Sequence, residues 1–201
     1  PNHEALEGRQ LIESSSTIQV PDLEMQLSGM KKIQQVLTKK EILEDFVSND
    51  ISKRILKTFA KMHTLDEMIS NSEGEFSATE LLSKHSNDYV LKPQREGGGN
   101  NYFGREILKL LPSIKKEEQK AFILMEKIEA GPHSSLQVVN RQHETLNCVS
   151  EIGRFGICFV ENGKIKNNFD AGYLVRTKSS NVNEGGVCAG FACLNTIATF
   201  D

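Results

Sequence analysis

Lys92, Glu96 and three consecutive glycines, Gly97, Gly98 and Gly99, form the densest group of chemistry-bearing residues in the chain. They lie in the run Val90-Leu91-Lys92-Pro93-Gln94-Arg95-Glu96-Gly97-Gly98-Gly99-Asn100-Asn101-Tyr102-Phe103-Gly104. Consecutive glycines let backbone N–H groups converge on a phosphate, because no Cβ blocks the approach and positive φ costs little. Lys92 supplies a point charge for the same phosphates, and Glu96 a hard oxygen ligand for their magnesium. Neither common phosphate fingerprint is present, since no Gly-x-x-x-x-Gly-Lys-Ser/Thr and no strand-borne Gly-x-Gly-x-x-Gly occurs. A glycine triplet between polar residues also serves as a surface linker.

Four further places carry chemistry, each with an ordinary alternative. Lys31 and Lys32 follow Gly29-Met30, where a lysine pair is either a phosphate grip or a solvated helix face. Met125-Glu126-Lys127-Ile128 follows a buried strand and offers backbone donors and acceptors between apolar side chains, as an adenine requires; it also reads as a strand end turning polar. Glu151 ends an apolar strand, where it could meet a ribose or a metal-bound water, or cap a turn. Arg176 and Lys178, two residues apart after Tyr173-Leu174-Val175, share a strand face. The arginine there suits a bidentate grip on a carboxylate, or a surface ion pair.

The elements that must position these groups divide the chain. Apolar spacing predicts helix over 23–37, capped by Asp22 and either continuous or hinged at Gly29, with further helices over 40–47, 51–62, 78–84 and 105–111. Strands are expected over 121–126, 146–152, 155–160, 165–169, 173–176 and 187–194, with a tight turn at Asn162-Gly163. Helices first and an antiparallel-leaning sheet later define an α+β class. With 201 residues, 38% hydrophobic content and a net charge of −3, the chain has a globular composition and no electrostatic signature of a nucleic-acid or membrane partner. The four cysteines lack metal spacing and read as small buried hydrophobes; no zinc site or nucleophile–histidine pair is evident. A start at Pro1 suggests a fragment or processed chain.

The order and spacing of these strings closely resemble eukaryotic glutathione synthetase, an ATP-grasp ligase. The resemblance runs from about Leu11 to Leu194. Its carriers are Pro21-Asp22, 29–35, 90–101, 123–128, Ser150-Glu151-Ile152-Gly153 with Phe155-Gly156, 174–178, and Gly185-Gly186-Val187 with Ala189-Gly190. It implies an ATP-grasp fold with a helical first half, a mostly antiparallel sheet in the second half and a glycine-rich lid loop. The implied segments are 1–64 (helical, joining the body), 65–131 (lid region) and 132–201 (C-terminal sheet), with the family's N-terminal half absent. The implied reaction joins γ-glutamylcysteine to glycine with ATP and Mg2+ through an acyl phosphate, in a cytoplasmic homodimer.

Carried onto matching positions, Lys31 and Lys92 hold phosphates, Glu96 ligates magnesium, and Gly97, Gly98, Gly99, Asn100 and Asn101 close over the nucleotide. Met125, Glu126 and Ile128 frame the adenine, with Lys127 in the same run. Glu151 touches the sugar, Lys178 and Glu184 join the nucleotide set, Arg176 binds the acceptor carboxylate, and Val187 with Cys188 meets the glycine end. Lys92, Arg176 and the glycine triplet are the implied catalytic groups. Departures are Phe103 for tyrosine, Cys188 for alanine and Glu184 for aspartate. They keep open a paralogue with another acceptor, or one that binds nucleotide with little catalysis.

Overall fold

The computed structural model describes residues 3–95, 99–139 and 141–197, with the side chain of Val139 also outside the description. Glu96, Gly97 and Gly98, which the sequence assigns to magnesium and the phosphates, therefore lie outside the described residues.

The chain opens with five helices: α1 (His3–Glu13), α2 (Leu23–Ser28), α3 (Lys31–Leu37), α4 (Lys40–Leu43) and α5 (Asn49–Leu56). The Asp22 side chain accepts from the Met25 backbone N–H at 2.8 Å and caps α2, as its residue type requires. Helix α2 ends at Gly29, so the hinged alternative holds over 23–37. Two expected helices are shorter than their apolar spacing predicts. Helix α4 stops at Leu43, and α5 stops at Leu56 because Met62 already pairs as a strand.

The first half is accordingly not all helical. Strands β1 (Met62–Thr64), β2 (Met68–Asn71) and β3 (Gly74–Ser77) precede α6 (Ala78–His85), followed by β4 (Tyr89–Pro93), β5 (Tyr102–Phe103), α7 (Arg105–Leu110) and β6 (Phe122–Glu126). A capping box in which Ser77 and Glu80 exchange bonds starts α6. One four-stranded antiparallel sheet has the order β1-β6-β4-β5, and β2 and β3 form a separate hairpin.

Strand alternation gives this sheet two faces. The cross-strand pair Leu91–Leu124 is fully buried in the core with Leu65, Ile69, Leu81, Leu82 and Ile107. Each such side chain contributes roughly 1.5–3 kcal/mol on burial. The alternate pairs, Val90 with Met125 and Val90 with Phe103, face the other way.

The second sheet, in order β10-β9-β8-β7, comes from β7 (His133–Val139), β8 (Gln142–Glu161), β9 (Lys164–Ser179) and β10 (Cys193–Asn195). The expected pairs of short strands prove to be two long ones, because register shifts between Phe155 and Gly156 and between Phe159 and Val160 absorb the interruptions. The turn at Asn162-Gly163 has positive φ at both residues (50° and 68°), the demand that Asn-Gly meets. The strand expected over 187–194 shrinks to β10. Residues 187–190 turn instead, held by Gly190 N–H to Val187 O at 3.0 Å and Phe191 N–H to Gly186 O at 3.0 Å.

Candidate functional site

A cavity of about 840 Å³ lies between the two sheets. The first sheet contributes Val90, Lys92, Phe103 and Met125, all on the face opposite the core. The second contributes Val149, Glu151, Arg176 and Lys178, one face of the β8–β9 pair, where Val149 opposes Lys178 and Glu151 opposes Arg176. The other face carries Ser150, Thr177 and Asn195, which hydrogen-bond one another: Ser150 Oγ lies 2.7 Å from Thr177 Oγ1, and Asn195 Nδ2 donates to Thr177 Oγ1 at 3.1 Å. That polar layer fixes β10 against β9 and so holds the cavity face of the sheet in place.

The sequence-predicted residues divide by position. Lys92, Asn101, Met125, Lys127, Ile128, Glu151, Arg176, Lys178 and Glu184 all line the cavity. Lys31 acts at its margin, donating Nζ to the Arg95 carbonyl at 2.6 Å and so tying α3 to the chain just before the glycines. Glu126 points away: its Oε1 lies 3.2 Å from Lys61 Nζ. Gly99 has φ +82° and nothing within 4 Å of an added Cβ, so its side of the backbone is open. Val187 and Cys188 follow the lining residues Gly185 and Gly186 but are not themselves among the described walls. Sequence reasoning missed Asn147 and Val149 as cavity residues, although their period-2 spacing with Glu151 puts all three on one face.

Charge is distributed unevenly along the cavity. Burial pushes the Lys92 ammonium below the ordinary lysine range, and Lys31's charge pushes it further down, while Glu184 and Glu151 oppose both. Arg176 Nη2 donates to Glu151 Oε2 at 2.7 Å. Lys178 Nζ donates to the Asn183 carbonyl at 2.7 Å, and Asn101 Nδ2 donates to Glu184 at 3.2 and 3.4 Å. The apolar residues Val90, Met125 and Ile128 and four cations, Lys92, Lys127, Arg176 and Lys178, line the same cavity. Such apolar residues suit a planar base, and such cations suit its phosphates and a carboxylate.

No group of three or more His, Cys, Asp or Glu arranged to hold a metal occurs among the described residues. The donor set still fits magnesium brought by phosphate, which takes one or two carboxylates and keeps several waters. Glu151 and Glu184 are carboxylates on the cavity wall. No described helix is long and apolar enough to cross a membrane.

Comparison with known proteins identifies the family. Residues 3–198 match the family model of the eukaryotic glutathione synthase ATP-binding domain, and the chain belongs to that family. It is 38% identical over 199 residues to the glutathione synthetase large chain of Schizosaccharomyces pombe, covering 98% of this chain and 39% of that protein. With Bos taurus glutathione synthetase it shares 39% identity over 202 residues, 97% of this chain and 42% of that one. The chain thus spans about two fifths of the length of the curated relatives it matches. Its fold is similar to that of a glutathione synthetase-like effector from Globodera pallida in apo form, with TM-score 0.63 and 22% identity over 92% of this chain and 37% of that one.

Proposed function

We propose that this chain is the ATP-binding part of a ligase that joins γ-glutamylcysteine to glycine, using ATP and magnesium, through an acyl phosphate. The observation that carries the reading is the meeting of Lys92, Glu151, Arg176 and Lys178 on one cavity built from two sheets. The match over residues 3–198 to an ATP-binding domain supports the nucleotide assignment.

Acyl-phosphate chemistry needs charge neutralised on the transferring phosphoryl group more than it needs a nucleophilic side chain. Lys92 and Lys178 supply that neutralisation from opposite sheets, and Lys31 fixes the backbone leading to the glycines. Glu96, with Glu184 and Glu151 of the cavity wall, would hold magnesium, which would supply charge neutralisation for the phosphates. Val90, Met125 and Ile128 pack on the base. Arg176 holds the acceptor carboxylate, and its planar fork orients the acceptor amine. The glycine triplet acts as an ATP-grasp lid that excludes water from a hydrolysable intermediate. The segments 1–64, 65–131 and 132–201 divide this work into body, lid and closing sheet, in a cytoplasmic homodimer.

The test is phosphate release by the complete protein. Release should require ATP, Mg2+, γ-glutamylcysteine and glycine together, and Glu96→Ala should reduce it by two orders of magnitude or more, about 2.7 kcal/mol of lost transition-state stabilisation. Release indifferent to the two amino substrates would overturn the assignment.

A further inference from the structure

We propose that Glu151 stands in for a ligand carboxylate on Arg176, so that ligand binding proceeds by exchange of one carboxylate for another. The inference rests on the ligase reading above and adds to it how the arginine is kept before substrate arrives.

Glu151 and Arg176 are directly opposed across β8 and β9, and both face the cavity. A single bond joins them, from Nη2 to Oε2 at 2.7 Å. The guanidinium presents a planar fork, and one bond to a carboxylate leaves most of it unused. Behind the glutamate lies Gly185. A Cβ built there would meet Glu151 Oε1 at 2.8 Å, with the other two carboxyl atoms at 3.4 Å. The carboxylate therefore lies against the Gly185 backbone, where a Cβ would push it aside, directly before the arginine.

The arrangement favours release. Both side chains are nearly half exposed, at 44% and 45%, so the pair is weakly held. A ligand carboxylate that takes the fork with two parallel bonds replaces a single-bonded glutamate with a better partner. The displaced carboxylate stays within a cavity that Lys92 also lines. Arg176 is thus kept neutralised and oriented while the site is empty, and the ligand must out-compete a built-in rival. A neutral analogue cannot displace the glutamate from the fork, whereas an anionic group that matches it can, which makes Glu151 a specificity-determining residue against neutral analogues.

The experiment compares glutathione with glutathione amidated at its glycine carboxyl, binding each calorimetrically to the nucleotide-free complete protein and to its Glu151→Gln variant. The glutamine keeps the shape against Gly185 and removes the competing charge. Glutathione should bind the variant about three- to fivefold more tightly, the scale of a half-exposed ion pair, while the amide's affinity stays unchanged. Arg176→Ala should erase the preference for acid over amide. Equal or weaker glutathione binding by Glu151→Gln overturns the exchange, as does an equal gain for the amide. Wild-type protein that binds ATP and glutathione with acid affinity unmoved by Glu151→Gln sinks the exchange alone; wild-type protein that binds neither sinks the ligase reading with it.

Discussion

Asn101 and Glu184, 83 residues apart, close one side of the cavity: the Asn101 amide donates to both Glu184 carboxylate oxygens, at 3.2 and 3.4 Å. Asn101 immediately precedes β5 of the first sheet, and Glu184 follows β9 of the second, so this contact joins the two sheets next to the glycine segment. Lys31 performs a related task on the near side through the Arg95 carbonyl. The glycines are therefore flanked by two tethers, one at each end of the run that carries them.

The tether predicts coupling. Asn101→Ala and Glu184→Ala should each weaken ATP binding, and the double variant should lose less than the sum of the two. The coupling energy should be about 0.5–1.5 kcal/mol, the net worth of one hydrogen bond. Strict additivity in a calorimetric double-mutant cycle would mean that the two residues act separately.

Lys92 predicts an opposition between stability and function. Burial lowers its folded-state pKa, so the folded chain holds this proton less tightly than the unfolded chain does. Folding therefore bears the full cost of the charge below the folded pKa. That cost is relieved as pH rises from the lowered value toward the ordinary lysine value, and stability rises across that window. Lys92→Met should remove the cost at neutral pH and raise Tm, by no more than about 2 °C because solvent screens a partly exposed ammonium. The same change should abolish measurable ATP binding. A lower Tm would show that Lys92 is better compensated in the empty cavity than its burial implies.

The individual groups of the site were legible in the sequence, and their pairing was not. Asn162-Gly163 announces the hairpin, and Glu151, Arg176 and Lys178 stand out as charged residues against apolar strands. Counting back from the Glu161–Lys164 pair without irregularities sets Glu151 opposite Leu174. Each of the two register shifts adds one residue to β9, and Glu151 then meets Arg176. Nothing in residue types places two bulges in advance. Strands β1 and β5, three and two residues long, exist through pairing with β6 and β4 and are too short to show periodicity. The helix expected over 51–62 stops early for a tertiary reason: Met62 is taken by Met125, and the chain must leave the helix to reach it.

Cys188 predicts a change in acceptor choice. It sits in the turn that follows Gly185 and Gly186, with its side chain exposed and its thiol free. If this turn closes on the acceptor, one side-chain-sized change is worth roughly 1–3 kcal/mol of discrimination. Glycine, alanine and serine should be compared as acceptors in the complete protein and in Cys188→Ala. The ratio of kcat/KM values for glycine and alanine should move by about tenfold. An unchanged ranking would remove Cys188 from the acceptor site.

The last prediction is that residues 1–201 alone will not turn over. A ligation needs the donor carboxylate held against the γ-phosphate while the acceptor waits beside it. Among the described residues lining the cavity, Arg176 is the one arginine, and the function proposed above commits it to the acceptor's carboxylate. γ-Glutamylcysteine brings two further carboxylates and an amine, for which this wall has no comparable seat. The surface points the same way. Phe155, Ile157, Phe159 and Phe169 are each about half exposed on the outer part of the β8–β9 hairpin, and Ile157 opposes Phe169 directly. Helix α1 buries none of its residues, leaving Leu6, Leu11 and Ile12 in solvent. An aromatic face of this kind marks a contact surface, and the relatives carry more than half their length beyond the matched region. The purified 201-residue chain, given ATP, Mg2+, γ-glutamylcysteine and glycine, should release phosphate at less than about one hundredth of an ordinary turnover of ~10 per second. Phe155→Ser with Phe169→Ser should improve its solubility without changing whatever ATP affinity it has. Donor-dependent turnover at an ordinary rate would show that this cavity seats γ-glutamylcysteine unaided, and the inventory of its walls would have to be redrawn.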